Sequence, residues 1–213
     1  MAITRNEVLA WLKAFIQVIA DNKDYLTDLD SAIGDADHGA NMNRGFQAVL
    51  VKLPGMEDAD IGTIFKQVGM TLLSTVGGAG GPLYATFFIQ AGSKVAGKME
   101  IDLQEWADAL EAATVGVVNR GKASLGDKTM VDALTPAVEA LKQSVAENLS
   151  IAEGLKRSSK AAEEGMLATI PLVAKKGRAS YLGERSAGHQ DPGATSTFLL
   201  LDTAYKTWSN STK

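Results

Sequence analysis

The chain has 213 residues, 46% of them hydrophobic and 22% charged, which suits one sizeable folded domain. A net charge of −4 leaves no basic footprint for nucleic acid, and the absence of cysteine removes disulfides, thiolate metal sites and cysteine nucleophiles. The N-terminus has no signal-peptide pattern and no uncharged apolar run approaches the ~20 residues that cross a bilayer, so a cytoplasmic protein without membrane attachment is expected.

Apolar positions recur at three and four residues nearly throughout. Val8, Leu9, Trp11, Leu12, Phe15, Ile16 and Ile19 form the first helical stripe, with Thr4 and Glu7 as its capping box. A second helix begins near Asn41 and ends at Pro54-Gly55. A third runs from about Ile61 to Thr75. Pro82 suits the first turn of a fourth, which fades at Gly97. Asp102 and Glu105 open a fifth, Thr129 is placed to cap a sixth, and Ser150 with Glu153 caps a seventh that reaches about Lys175. Asp191-Pro192 opens an eighth that ends near Trp208. Pro136 and Pro171 fall inside the sixth and seventh, where kinks are expected. No alternating strand pattern, repeat or linker stands out. The reading is a single all-α domain spanning residues 1–213, an antiparallel up-and-down bundle of eight helices.

The connections are of two kinds. Those after the second, fourth and sixth helices are short and plain. Those after the first, third, fifth and seventh are long or glycine-rich: TDLDSAIGDADHGA, VGGAGG, GKASLGDK and KGRASYLGERSAGHQ. Alternate connections of an up-and-down bundle lie at one end, so all four are expected to converge on one composite site.

The first of these loops sets Asp30, Asp35 and Asp37 within eight positions. Crowded carboxylates repel, and their oxygens are what Mg²⁺ and Ca²⁺ prefer; the alternative is that Asp30 and Asp37 cap helix ends. An EF-hand counted from Asp35 fails, because Gly39 and Phe46 stand where oxygen ligands are needed. Two distant histidines and no cysteine argue against zinc. Mg²⁺, which completes its shell with water and phosphate oxygens, fits best. Gly77 to Pro82 opens directly into a helix, an arrangement suited to anions or to a plain turn. Gly121 to Thr129 resembles a P-loop, but Asp127 interrupts it and no strand precedes it. The fourth loop carries Lys175, Lys176, Arg178, Arg185 and His189 within reach of phosphates, although a solvated loop would look the same. Neither His38 nor His189 belongs to a nucleophile triad, so the chemistry looks like positioning and charge neutralisation, as in phosphoryl transfer.

Taken together, IGDADHGANMNRGF, GMTLLSTVGGAGGPL, GKASLGDKTM and KGRASYLGERSAGHQDPGATS resemble the nucleotide-binding L subunits of bacterial dihydroxyacetone kinases, in order and over nearly the whole chain. The resemblance implies an eight-helix barrel with ADP or ATP and two Mg²⁺ at one end. It makes Asp30, Asp35 and Asp37 the metal ligands. It places His38, Gly39, Ala40, Asn41, Ala79, Gly80, Gly121, Met130, Arg178, Asp191, Pro192 and Gly193 around the nucleotide. Arg178 is the expected catalytic residue, neutralising charge on the moving phosphoryl group. The implied partners are a K subunit that holds dihydroxyacetone, a donor M subunit of the phosphotransferase system (PTS) and, in some settings, a transcription regulator. Family members often carry Ser where this chain has Gly80, which removes a hydroxyl contact and leaves a backbone N–H. The competing readings are an ADP/ATP-sensing module for a regulator, and the nucleotide domain of an ATP-dependent dihydroxyacetone or fatty acid kinase.

Overall fold

The computed structural model describes residues 2–210. Nine α-helices follow one another among them: α1 (Arg5–Asp21), α2 (Lys23–Ile33), α3 (His38–Lys52), α4 (Ile61–Thr75), α5 (Gly80–Lys94), α6 (Leu103–Gly121), α7 (Val131–Ala146), α8 (Ile151–Ala168) and α9 (Pro192–Asn210). Short 3-10 segments cover Leu53–Met56 and Arg178–Ser186. Among the described residues the only strand pairing is a two-residue ladder, β1 (Ile3–Thr4) antiparallel to β2 (Glu100–Ile101).

Asn22 is at once the C-cap of α1 and the N-cap of α2, so α2 continues α1 past a break. With that pair counted as one, eight helices form a closed ring. α3 packs on α4, α4 on α5, α5 on α6, α6 on α7, α7 on α8, α8 on α9, and α9 on α1, which returns to α3.

The two ends of the ring are filled differently. Trp11 of α1, Trp106 of α6 and Trp208 of α9 are nearly inaccessible, and their rings meet edge-on at centroid distances of 4.9, 5.0 and 5.8 Å. Phe65 and Phe88 pack against Trp11 from α4 and α5. Each such aromatic pair adds roughly 1 kcal/mol beyond its buried area. The indole N–H groups are not orphaned: Trp11 donates to the Leu200 carbonyl at 3.1 Å and Trp208 to the Glu7 carbonyl at 3.0 Å. This cluster lies where α1 and α6 start and α9 ends, so it closes that end, and the β1–β2 ladder ties the same end. At the opposite end, the inward residues of α9 are Ala194, Thr195, Ser196 and Thr197, all buried and all small. The core is therefore plugged at one end and left open at the other.

The expected helix boundaries need three corrections. The first connection is not all loop, because residues 23–33 are α2 and Asp30 stands on its last turn. The seventh helix does not reach Lys175. It ends at Ala168, where Thr169 and Ile170 turn back on Met166 and Leu167 by shorter-range hydrogen bonds, and the residue before Pro171 is disfavoured in helix. Pro171 thus follows α8 and kinks nothing. The last connection carries a 3-10 segment rather than irregular chain. Ser186 anchors it by accepting the Ala174 N–H at 2.9 Å and donating to the Gly183 carbonyl at 2.6 Å.

Pro136 does lie inside α7, which runs on through it. A proline there has no N–H for the carbonyl four residues back, which is that of Asp132. Gly165 of α8 packs on that carbonyl, and a Cβ at Gly165 would stand 2.1 Å from the Asp132 oxygen and 2.9 Å from the Pro136 ring. Helices α7 and α8 can approach this closely only with glycine there. Gly165→Ala should destabilise the fold by about 1–3 kcal/mol in denaturant unfolding, whereas an unobstructed helical glycine replaced by alanine would gain stability.

Candidate functional site

A cavity of about 420 Å³ opens at the unplugged end. Its walls come from all four of the unusual connections: the α2–α3 turn, the Val76–Tyr84 stretch, residues 117–131, and the basic segment with the start of α9.

The carboxylates form one wall. Asp30, Asp35 and Asp37 each present an oxygen within 4.8 Å of the other two. Asp30 is buried, and its Oδ2 accepts the backbone N–H groups of Asp37 at 2.8 Å and His38 at 3.1 Å, so it also serves the N-terminus of α3. The capping and metal readings of this residue are therefore not exclusive. Gly34 lets the chain turn over Asp30, since a Cβ there would lie 2.0 Å from its Oδ1. Asp35 is exposed and pairs with Arg178, whose Nε lies 2.9 Å from its Oδ2. Arg178 is placed there by a small apolar contact, in which Ala179 and Ala174 pack on Ile33 of α2. An all-oxygen set of hard carboxylate donors at an open cavity fits Mg²⁺.

The second wall is the N-terminal turn of α5. Gly80 begins the helix, so the N–H groups of its first turn have no intrahelical acceptor. Gly81 has no room for a side chain, because a Cβ would lie 2.2 Å from the Val76 carbonyl oxygen. At Gly80 the nearest atom to a built Cβ is 3.8 Å away. A serine would fit there, so glycine at this position is a matter of contact chemistry and not of space.

The third wall is a loop organised by two carboxylates. Asp132 accepts the Gly126 N–H at 2.6 Å and the Thr129 N–H at 2.8 Å, and Asp127 accepts the Ser124 N–H at 2.8 Å. Asp127 thus turns inward to its own loop, which is the physical reason the Gly-Asp-Lys-Thr run is not a P-loop. Thr129 accepts the Val131 N–H at 3.2 Å, so it assists the start of α7, while Met130 holds the N-cap position.

The floor is α9. Asp191 accepts the Ala194 N–H at 2.6 Å, and its own N–H donates to Thr169 Oγ1 at 3.0 Å. Burial pushes the Asp191 carboxyl up to about 7, with Asp132 and Asp30 adding to the rise and the Ala194 N–H and Lys128 opposing it. Tyr84 donates to Ser196 at 2.8 Å, and burial raises its phenol to about 12. Ser196 Oγ donates to the Gly193 carbonyl at 3.1 Å and also lies 2.9 Å from His38 Nε2. Its one proton is committed to Gly193, so the consistent tautomer has His38 donating from Nε2. Burial lowers the His38 pKa, against the pull of Asp30 and Asp37, and the neutral ring keeps Nδ1 as an acceptor.

Of the residues singled out from sequence, Asp30, Asp35, Asp37, His38, Asn41, Ala79, Gly80, Gly121, Met130, Arg178, Asp191, Pro192 and Gly193 all line the cavity. Gly39 and Ala40 do not. Gly39 is buried where α3 crosses α2, with a built Cβ 2.0 Å from the Lys23 carbonyl, and Ala40 is exposed on α3. Lys176 reaches the lining, whereas Lys175, Arg185 and His189 are exposed outside it. Sequence reasoning missed Tyr84, Ser196, Lys128 and Asp132. For Asp132 a signal existed, since Thr129-x-x-Asp132 has capping-box spacing. The others are ordinary residues in helical stretches or turns, and only the packing reveals them.

A DAK2 domain model matches residues 32–206. The chain is 50% identical over 201 residues to the ADP-binding subunit DhaL of the PEP-dependent dihydroxyacetone kinase of Escherichia coli K12, covering 94% of this chain and 96% of that one. It is 41% identical to the ADP-binding subunit DhaL of the PTS-dependent dihydroxyacetone kinase of Lactococcus lactis, covering 94% and 96%. Among solved structures, the dihydroxyacetone kinase of C. freundii in complex with AMP-PNP and Mg²⁺ superposes with a TM-score of 0.69 at 25% identity, covering 99% of this chain. The chain spans 35% of that kinase's length. By the extent of the domain match and its identity to the bacterial ADP-binding subunits, this chain belongs to the DAK2 domain family.

Proposed function

We propose that this chain holds ADP or ATP with Mg²⁺ at the open end of its barrel and is the nucleotide-binding subunit of a PTS-dependent dihydroxyacetone kinase. The observation that carries the reading is the meeting of three carboxylates, an N-terminal helix turn and a basic segment around one cavity. The likeness to DhaL subunits over nearly their whole length supports the PTS-dependent form over an ATP-dependent kinase or fatty acid kinase domain.

In this reading Asp30, Asp35 and Asp37 hold two Mg²⁺ ions. Bound there, Mg²⁺ would neutralise phosphate charge. Asp30 is the rigid member, fixed by two N–H donors, and Asp35 is the adjustable one, on the exposed turn. The first N–H groups of α5 bind phosphate oxygens. Arg178 exchanges its contact with Asp35 for the phosphoryl group and stabilises the charge that develops on it, which is its catalytic role. His38, with its Nε2–H committed to Ser196, offers Nδ1 as an acceptor to the nucleotide. Met130, Gly121 and Pro192 supply apolar and close-packed surface, and Asp191 and Gly193 close the floor. The phosphoryl group arrives from a PTS donor M subunit and leaves to dihydroxyacetone on a K subunit. The protein acts in the cytoplasm, and binding to a transcription regulator is compatible with the same site.

Purified protein denatured in the presence of Mg²⁺ should release ADP or ATP identifiable by mass; release of no nucleotide would remove the bound-cofactor reading. Replacement of Asp35 or Asp37 by Asn should weaken Mg²⁺-dependent nucleotide retention by roughly a hundredfold while far-UV circular dichroism stays unchanged, on the scale of lost charged contacts. Arg178→Ala should slow dihydroxyacetone phosphorylation, assayed with purified K and PTS donor subunits, by about 10²–10³-fold. Its Tm should hardly move, because an exposed ion pair contributes under about 1 kcal/mol. Turnover that needs free ATP and ignores the donor subunit would favour the ATP-dependent kinase.

A further inference from the structure

Lys128 is the most unusual charged residue in the molecule. It is 1% exposed and sits at a backbone φ of 62°; among the described residues no carboxylate lies within ion-pair distance of it, and Asp191 acts on its charge only from further off. Its ammonium donates instead to backbone carbonyls, those of Thr169 at 2.9 Å, Leu172 at 3.1 Å and His189, with Ile170 at a longer 3.4 Å. An ammonium has three protons, and three carbonyls use them all. None remains for a phosphate. In a P-loop the lysine of a similar run reaches the nucleotide, whereas here the residue borders the cavity but its ammonium protons are taken by backbone carbonyls.

The carbonyls it gathers are not random. Thr169 and Leu172 follow the end of α8, where the last carbonyls have lost their helical donors. His189 precedes the start of α9. Two further contacts lock the same junction: Gly188 N–H to the Ile170 carbonyl at 2.7 Å, and Asp191 N–H to Thr169 Oγ1. Lys128 itself is two residues from Met130, and the Asp127 carbonyl accepts the Lys175 N–H at 3.1 Å. One ammonium therefore ties together the 121–130 loop, the end of α8 and the approach to Asp191-Pro192-Gly193.

We propose that Lys128 is a positioning residue, a cation built into the chain that gathers the carbonyls of Thr169, Leu172 and His189 and so sets the α8–α9 connection against the cavity. It does in this protein what a bound monovalent cation does in a carbonyl cage. Its effect on nucleotide binding rests on the function proposed above; its effect on local order does not.

The test uses full-length Lys128→Met, which keeps the bulk and removes the charge, and Lys128→Ala, which leaves room for the lost fragment. Amide hydrogen exchange at Gly188 and Asp191 should be roughly tenfold or more faster in both variants, on the scale of a lost charged hydrogen bond. n-Propylammonium should restore protection and nucleotide retention to Lys128→Ala, and tetramethylammonium, a cation without N–H donors, should not. Wild-type exchange rates in Lys128→Met, or equal rescue by the two ammonium ions, would overturn the assignment. Should neither variant fold, ¹⁵N NMR of the wild-type chain decides. Slowly exchanging protonated Lys128 ammonium at neutral pH is the expected result, and a neutral or freely exchanging amine overturns it. If wild-type protein binds no nucleotide while protection still follows Lys128, the functional reading fails and the positioning role stands.

Discussion

Three carboxylates with oxygens within 4.8 Å of one another repel, and the rest of the open end is arranged around that repulsion. Asp30 is held by two backbone N–H groups at the positive end of α3, and Asp35 by the guanidinium of Arg178. Asp37 has no side-chain hydrogen bond to the helix it caps. A divalent cation bound by such a set relieves the repulsion that the protein's own donors only partly offset. In the function proposed above, the same logic makes Arg178 a group in exchange, paired with Asp35 until a more highly charged partner arrives.

The fold makes this cluster usable by separating stability from chemistry along the barrel axis. Three tryptophans and their aromatic neighbours close one end with large, fully desolvated rings. The other end is lined by small residues on α9 and glycine turns, and its polar groups are joined by hydrogen bonds to other side chains or to backbone carbonyls. Tyr84, Ser196 and His38 form one such chain, and Lys128 with its carbonyls forms another. Buried polar groups of this kind are costly unless every member finds a partner, and here they do. The site is therefore stiff behind the cavity, with its exposed charges, Asp35 and Arg178, at the mouth.

Glycine at positions 34, 81 and 165 shows one constraint at three distances from the cavity. Gly34 makes room for the Asp30 carboxylate and Gly81 for the Val76 carbonyl at the end of α4. Gly165 makes room for the carbonyl that Pro136 leaves free on Asp132, whose side chain shapes the 126–129 loop. A packing requirement between α7 and α8 is thus connected by a single residue to a wall of the site.

Much of this was legible in the chain alone, for identifiable reasons. Helical periodicity, capping boxes at Thr4 and Asp102, and the proline at the start of α9 are local signals, and they mark the helices. The alternation of plain and unusual connections marks which end carries the site, because antiparallel helices leave no other choice. Charge crowding within eight positions picks out Asp30, Asp35 and Asp37. Local signals fail where distant segments compete. The α2 helix hides in what reads as a polar loop, because only two of its apolar residues, Leu26 and Ile33, are buried, by packing against α3, α9 and the 3-10 segment that the local sequence does not announce. Gly39 turned out to serve helix crossing and not the cavity. No pattern around Lys128 announces that its charge is spent on carbonyls 41 to 61 residues away. Composition and spacing by themselves determined most of the helices, the acidic cluster and the end at which the unusual connections meet. The tertiary structure alone decided which polar groups partner one another across the barrel, because those contacts depend on which helices close the ring.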